Sequence, residues 1–253
     1  MDARRNYPIA VLRLALERSG VAHVLEPSSL QASQTRAMLM VRAGGLDVMW
    51  TVPTADRMRQ LRMVPFPIDR GLIGWRVLLV HRDTSTRYAS MSDVDALAPL
   101  VGVQGADWPD LETLRANGLH VAAGASYDSL FRMLALKHVD YFPRGVGEAG
   151  GEVAARPRMP IQVAPGVALH YPSALCFFVA PDNRALADAL QAGLEAAHRD
   201  GSLQRLFNET QGELLDRLAM DTRHVIELHN PDFPAHALAP QRSDLWYRPA
   251  ANP

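Results

Sequence analysis

Three short stretches carry side chains suited to recognition chemistry. Arg70-Gly-Leu-Ile-Gly-Trp-Arg76 leads directly into the apolar run Val-Leu-Leu-Val80. An arginine at a strand entrance, with glycines before it, can present its planar fork to a carboxylate. Val103-Gln-Gly-Ala-Asp-Trp-Pro-Asp110 reads as a strand end passing into a helix start, with Gln104 at the junction. The free amides of a helix N-terminus suit an anion. The plain alternative is that Asp107 caps the helix, with Pro109 in its first turn. Asp140-Tyr-Phe-Pro-Arg-Gly145 places Arg144 just past a predicted strand, where open α/β sheets bind ligands. Its alternative is a solvated loop arginine. Trp50 and Trp108 stand at a predicted strand end and helix start, and each is either a ligand platform or part of the core.

Catalytic signatures are missing from the sequence. Its 9 histidines are scattered, and none forms an i, i+4 pair beside a carboxylate as a zinc helix would. No Gly-x-Ser-x-Gly elbow, P-loop or dinucleotide fingerprint occurs. Gly71-Leu-Ile-Gly74 is followed by a strand pattern, not by the helix that a phosphate loop needs. Cys176 is the only cysteine and sits in the apolar run Ala174-Leu-Cys-Phe-Phe-Val-Ala180. No internal disulfide or thiolate cluster can form, and a buried inert thiol is expected. The reading is therefore a binding protein with no metal and no cofactor, not an enzyme.

Charge narrows the partners. The 26 basic and 27 acidic residues leave a net charge of -1. That excludes a general polyanion binder, which needs a strong positive field, so no nucleic-acid partner is expected. Lys137 is the only lysine among the 26 basic residues. Arginine is thus either selected for fork-like recognition or a bias of the whole source, and position has to decide. With 48% hydrophobic and 21% charged residues in 253, the chain is globular and long enough to bury a full core. No apolar run approaches the ~20 residues of a membrane span.

The elements that position these residues alternate. Residues 7–19 read as an amphipathic helix stopped by Gly20, and residues 21–25 as a strand. A helix over 31–43 and a strand over 46–50 follow, then a short helix over 54–61, a Pro-rich turn and a strand over 72–80. A polar bridge, Arg82-Asp-Thr-Ser-Thr-Arg-Tyr88, leads to a second stretch with the same grammar: strands over 101–104, 120–122, 139–142 and 174–180, helices over 108–117, 127–138 and 146–155. Two further helices close the pattern, and an apolar tail from Thr222 is expected to pack on the body. This spacing predicts α/β architecture with largely parallel sheets. Residues 33–47 can be laid on 126–140, each a Ser start, a helix, a turn and an Asp before a strand, which suggests two lobes.

In this order the pieces resemble the family 3 extracellular solute-binding proteins, the receptors of polar amino acid ABC importers. Gly45-Leu-Asp-Val-Met-Trp50 followed by Thr54-Ala-Asp-Arg57 looks like the family's Gly-x-Asp strand and Thr-x-x-Arg turn. Pro65-Phe-Pro67, Arg76 before its apolar strand, Val101-Gly-Val-Gln-Gly105, and residues 194–207 with Asp200-Gly201 fall in the family's order. The resemblance implies a periplasmic-binding-protein-like type II fold. Its two α/β lobes, residues 1–84 with 173–253 and residues 85–172, would be joined by two hinge crossings. It implies a monomer in the periplasm that captures a small ligand and delivers it to an ABC transporter membrane subunit. A ligand-sensing domain of a signalling receptor is the alternative, and an enzyme on the same fold a lesser one.

Within that frame the expected ligand-binding residues are Trp50, Arg76, Gln104, Asp107, Trp108, Tyr141 and Arg144. Amino acid binders of the family carry a carboxylate for the ligand ammonium where this chain reads Pro143-Arg-Gly145. Arg144 cannot pair an ammonium, and Glu148 lies on the next predicted helix, so an anionic or carboxylate-bearing ligand is expected. Arg76 from one lobe and Arg144 from the other would face each other across the cleft. The family also opens with a strand ahead of its first helix, so the reading frame is expected to extend upstream of Met1.

Overall fold

A computed structural model describes residues 3–28, 34–106, 108–233, 238 and 242–249. In chain order the elements are α1 (Ala3–Ser19), α2 (Gln34–Arg42), β1 (Val48–Thr51), α3 (Ala55–Gln60), β2 (Arg62–Met63), β3 (Trp75–His81), β4 (Val101–Gly105), α4 (Pro109–Ala116), β5 (His120–Gly124), α5 (Tyr127–Ala135), β6 (Tyr141–Gly145), α6 (Val146–Ala154), β7 (Ile161–His170), β8 (Cys176–Val179), α7 (Arg184–Arg199), α8 (Ser202–Arg217) and β9 (His224–Glu227). Short 3-10 turns cover Leu72–Gly74, Arg82–Tyr88, Met220–Thr222 and Ser243–Leu245. The chain divides into two compact units. The first holds Met1–Gly71, Ala174–Glu213 and Phe233–Tyr247; the second holds Leu72–Ser173, Leu214–Asp232 and Arg248–Pro253.

The first unit is built on a 3-stranded sheet in the order β1-β8-β2, antiparallel throughout. Thr54 starts α3 by accepting a hydrogen bond from the Arg57 backbone N–H at 3.3 Å. The apolar core gathers Met38, Val41, Met49, Leu61, Cys176 and Phe178, with Phe233, Leu238 and Trp246 of the tail packed into it. The tail therefore covers apolar surface, as its composition predicts. Cys176 is buried, and that burial, with the charge of Asp69, pushes its thiol pKa up and keeps it inert. Ala15 of α1 and Gly193 of α7 are both at the helix contact, and Gly193 lies against the Ala15 carbonyl.

The second unit carries a 6-stranded mixed sheet in the order β5-β4-β6-β3-β7-β9. β4 runs parallel to β5 and β6, and β7 parallel to β9, whereas β3 is antiparallel to both β6 and β7. Every residue of β3 is buried, because it is laddered on both sides and covered on both faces. Ser126 and Ser129 close a capping box at the start of α5.

Several sequence expectations change here. The sheets are not largely parallel. Residues 21–28 form no strand: they find no ladder partner, and Val21 and Val24 are 51% and 84% exposed. β7 is a strand that the sequence pattern does not include, and it contains Pro165. Pro165 and Gly166, with φ 73°, coincide with a register shift against β3, and bulges are where a strand tolerates both residues. The polar bridge Arg82–Tyr88 is a 3-10 turn inside the second unit. The chain passes between units at Gly71/Leu72 and Ser173/Ala174, where the sequence suggested 84/85 and 172/173, and again at Glu213/Leu214, Asp232/Phe233 and Tyr247/Arg248, so that residues 214–232 join the second unit. The reason is pairing. An apolar strand such as β3 can join either unit, and its ladders to β6 and β7 decide.

Candidate functional site

The expected cross-cleft arginine pair is not what the fold builds. Arg76 on β3 lies opposite Gly145 of β6, and Val77 lies opposite Arg144. Both arginines thus belong to one unit and to adjacent strands of one sheet. Each is almost fully buried, with side chains 5% exposed.

Both are also neutralised from within. Arg76 donates from Nη2 to Asp110 Oδ1 at 2.6 Å and from Nε to the Tyr171 hydroxyl at 2.8 Å. Tyr171 in turn donates to Asp110. Arg144 donates to both oxygens of Glu152, at 2.8 and 2.6 Å, and lies 2.9 Å from Glu148 Oε2. Glu148 also sits 4.0 Å from Arg76 Nη1. Buried charge must be paired, and here 2 guanidiniums face the 3 carboxylates of Asp110, Glu148 and Glu152. Burial works against the ionised form of Arg76. Asp110, Tyr171 and Glu148 outweigh it, so the pKa of Arg76 rises. Burial likewise opposes Arg144, and the carboxylates of Glu152 and Glu148 override it.

The other expected residues divide. Trp108, the N-cap of α4, lies under Arg144, with its ring centroid 4.8 Å from the guanidinium carbon and stacked 6.3 Å from Phe142. Gln104 is fully buried and donates to the Pro143 carbonyl at 3.2 Å, leaving its Oε1 without a partner among the described residues. Tyr141 is core: its ring packs on Gly102 and its hydroxyl has no partner among the described residues. Trp50 lies in the first unit, half-buried on β1 opposite Phe177. Asp107 lies outside the described residues.

A different arginine meets the description of an anion receptor. Arg57, on α3 of the first unit, donates from Nη1 to Thr51 Oγ1 at 2.8 Å and to the Val52 carbonyl at 2.6 Å. Its Nη2 donates to Gln34 Oε1 at 2.7 Å. All three partners are uncharged oxygens. Among the described residues no carboxylate lies within ion-pair distance of this guanidinium, and adjacent Asp56 is turned to Arg59 and Gln60. Burial lowers the pKa of Arg57, and the charge of Asp56 only partly offsets this. A half-buried guanidinium, oriented by three neutral acceptors, can take up an external carboxylate through its remaining donor directions. The signal is present in the sequence as Thr54-Ala-Asp-Arg57 after an apolar strand, but the role falls to Arg76 in the sequence reading because Arg76 leads directly into the apolar run Val77–Val80.

No protein-family profile matches this chain, and no curated protein matches it. Solved structures do. The chain is similar to the periplasmic VFT2 domain of BvgS from Bordetella pertussis (16% identity, 79% of this chain and 81% of that one, TM-score 0.59). It is similar to a periplasmic binding protein of Salmonella typhimurium described for high arginine specificity (17%, 82% and 87%, TM-score 0.56). It also resembles a periplasmic His/Glu/Gln/Arg/opine family-binding protein from Silicibacter pomeroyi in complex with lysine (11%, 82% and 87%, TM-score 0.57). At these identities the likeness establishes the fold: mixed α/β of the periplasmic-binding-protein type.

Proposed function

We propose that this chain is a solute-binding protein that captures a small polar ligand by its carboxylate, with Arg57 as the carboxylate receptor, for delivery to an ABC importer. The observation that carries the reading is the Arg57 guanidinium, positioned by Thr51, Val52 and Gln34 and lacking an internal counter-ion among the described residues. The neighbours support it: structures of this fold are described bound to arginine, lysine and L-glutamate, all of which carry a carboxylate. The anionic group expected from sequence is retained and moves from Arg76 and Arg144 to Arg57. The setting proposed is extracytoplasmic, following the same neighbours. No helix among the described residues is long and apolar enough to cross a membrane.

A second reading, a ligand-sensing domain of a receptor, draws on the BvgS domain and on the GluR0 ligand-binding core from Nostoc punctiforme. Both readings share the Arg57 chemistry. The test is a thermal-shift screen of purified protein against amino acids and small dicarboxylates, followed by calorimetry on Arg57→Ala with the best binder. Losing a charge-assisted hydrogen bond of about 1.5–3 kcal/mol predicts ~10–100-fold weaker binding. Equal affinity in folded Arg57→Ala would remove the reading.

A further inference from the structure

In the second unit, Arg76 is 5% exposed and its Nη2 and Nε are taken by Asp110 and Tyr171. Tyr171, 2% exposed, donates its hydroxyl to the same Asp110 oxygen. Asp110 itself lies in the first turn of α4, where helical N–H groups favour an anion, and its side chain is 17% exposed. A buried guanidinium and a buried hydroxyl therefore converge on one oxygen of a partly exposed carboxylate in the first turn of α4. This is the donor set of a carboxylate receptor, filled by the protein's own carboxylate.

We infer that Asp110 is a resident anion: Arg76, Tyr171 and the start of α4 form a second carboxylate site that Asp110 holds closed against small carboxylates from solution. The inference goes beyond the Arg57 reading and stands without it. It accounts for a feature that reading leaves aside, a strongly paired arginine whose partner enters from a partly exposed position. It also assigns a ligand class, a monocarboxylate of formate or acetate size, because the space available is that of one side-chain carboxyl group.

The test is chemical rescue in an Arg57→Ala background, so that the probe cannot register at Arg57. Asp110→Ala removes the resident carboxylate, and formate is supplied at about 100 mM against equal chloride, with stabilisation following site occupancy. At about tenfold the dissociation constant, formate is expected to raise the melting temperature of Asp110→Ala by ~3–6 °C more than that of the parent. Asp110→Gly, with more room, is expected to respond to acetate as well. Should Asp110→Ala be unfolded in chloride, formate is titrated into it and recovery of helical circular dichroism is read instead. Adding Arg76→Met must abolish the rescue. Absence of a formate-specific gain in both Asp110 variants overturns the inference, and so does a gain that survives Arg76→Met.

Discussion

Arg144 and Glu152 meet through two parallel hydrogen bonds, Nε to Oε2 at 2.8 Å and Nη2 to Oε1 at 2.6 Å, with side chains 5% and 6% exposed. The pair ties β6 to α6, and Tyr127 of α5 donates to the same carboxylate. Bidentate geometry and a third donor are what a buried ion pair requires to offset its desolvation.

Breaking that pair is expected to cost far more than replacing it. Glu152→Leu leaves a buried guanidinium with Glu148 alone and should destabilise the fold by about 3 kcal/mol. Arg144→Met combined with Glu152→Leu should cost at least ~1 kcal/mol less than the sum of the single changes, because the double change removes both members of the pair whereas each single change strands the other. Urea unfolding of the three variants measures both quantities. Simple additivity would mean that the two side chains do not act as a unit.

Arg57 and Arg76 are expected to separate binding from stability. Arg57→Lys keeps the charge but loses the fork, so it should recover only part of the affinity that Arg57→Ala loses. Arg76→Met should leave ligand affinity within about twofold, since RT ln 2 is well below one charge-assisted hydrogen bond. It should lower the melting temperature instead, because Asp110 loses its counter-ion. Calorimetry and thermal melts on the same preparations decide. Weakened binding in Arg76→Met would return the ligand to β3.

Asp200 predicts a pH dependence. Ser202, through its side chain and its backbone N–H, and then Arg18 at 2.6 Å, hold the Asp200 pKa at about 2. A carboxylate depressed in the folded state contributes stability above its unfolded pKa and loses it as pH falls through the folded value. The contribution is therefore complete above about pH 4 and fades toward about pH 2. Asp200→Asn should flatten the stability curve in that window and leave it parallel above. Chemical unfolding between these pH values, wild type against variant, is the measurement, and an unchanged slope would refute the assignment.

Gly193 is expected to tolerate no side chain. A Cβ there would run into the Ala15 carbonyl, so the α1–α7 packing must open to admit it. Gly193→Ala, normally favourable in a helix by about 1 kcal/mol, should here be destabilising by at least ~1–3 kcal/mol. Gly212 of α8, with open space around it, is the control that should gain. A stabilised Gly193→Ala would show that the two helices do not pack this closely.

Local chemistry was legible in the sequence. The run around Cys176 is the central strand of the first unit, Ser126 caps α5, the apolar tail enters a core, and the order of motifs matches the fold of the structural neighbours. Each depends on near-neighbour patterning: an apolar run, a capping side chain, a turn glycine. What the tertiary structure decided is pairing. Arg76 and Arg144 stood 68 positions apart and looked alike to any argument from residue type. Only the antiparallel ladder of β3 with β6 set them side by side, and only the packing of α4 and α6 brought Asp110, Glu148 and Glu152 onto them. The same holds for Arg57, whose three acceptors come from α2, β1 and the residue after it. A guanidinium's fork is encoded in one residue. Whether an internal carboxylate fills it depends on which distant strands and helices pack against it, and that is a property of the folded chain.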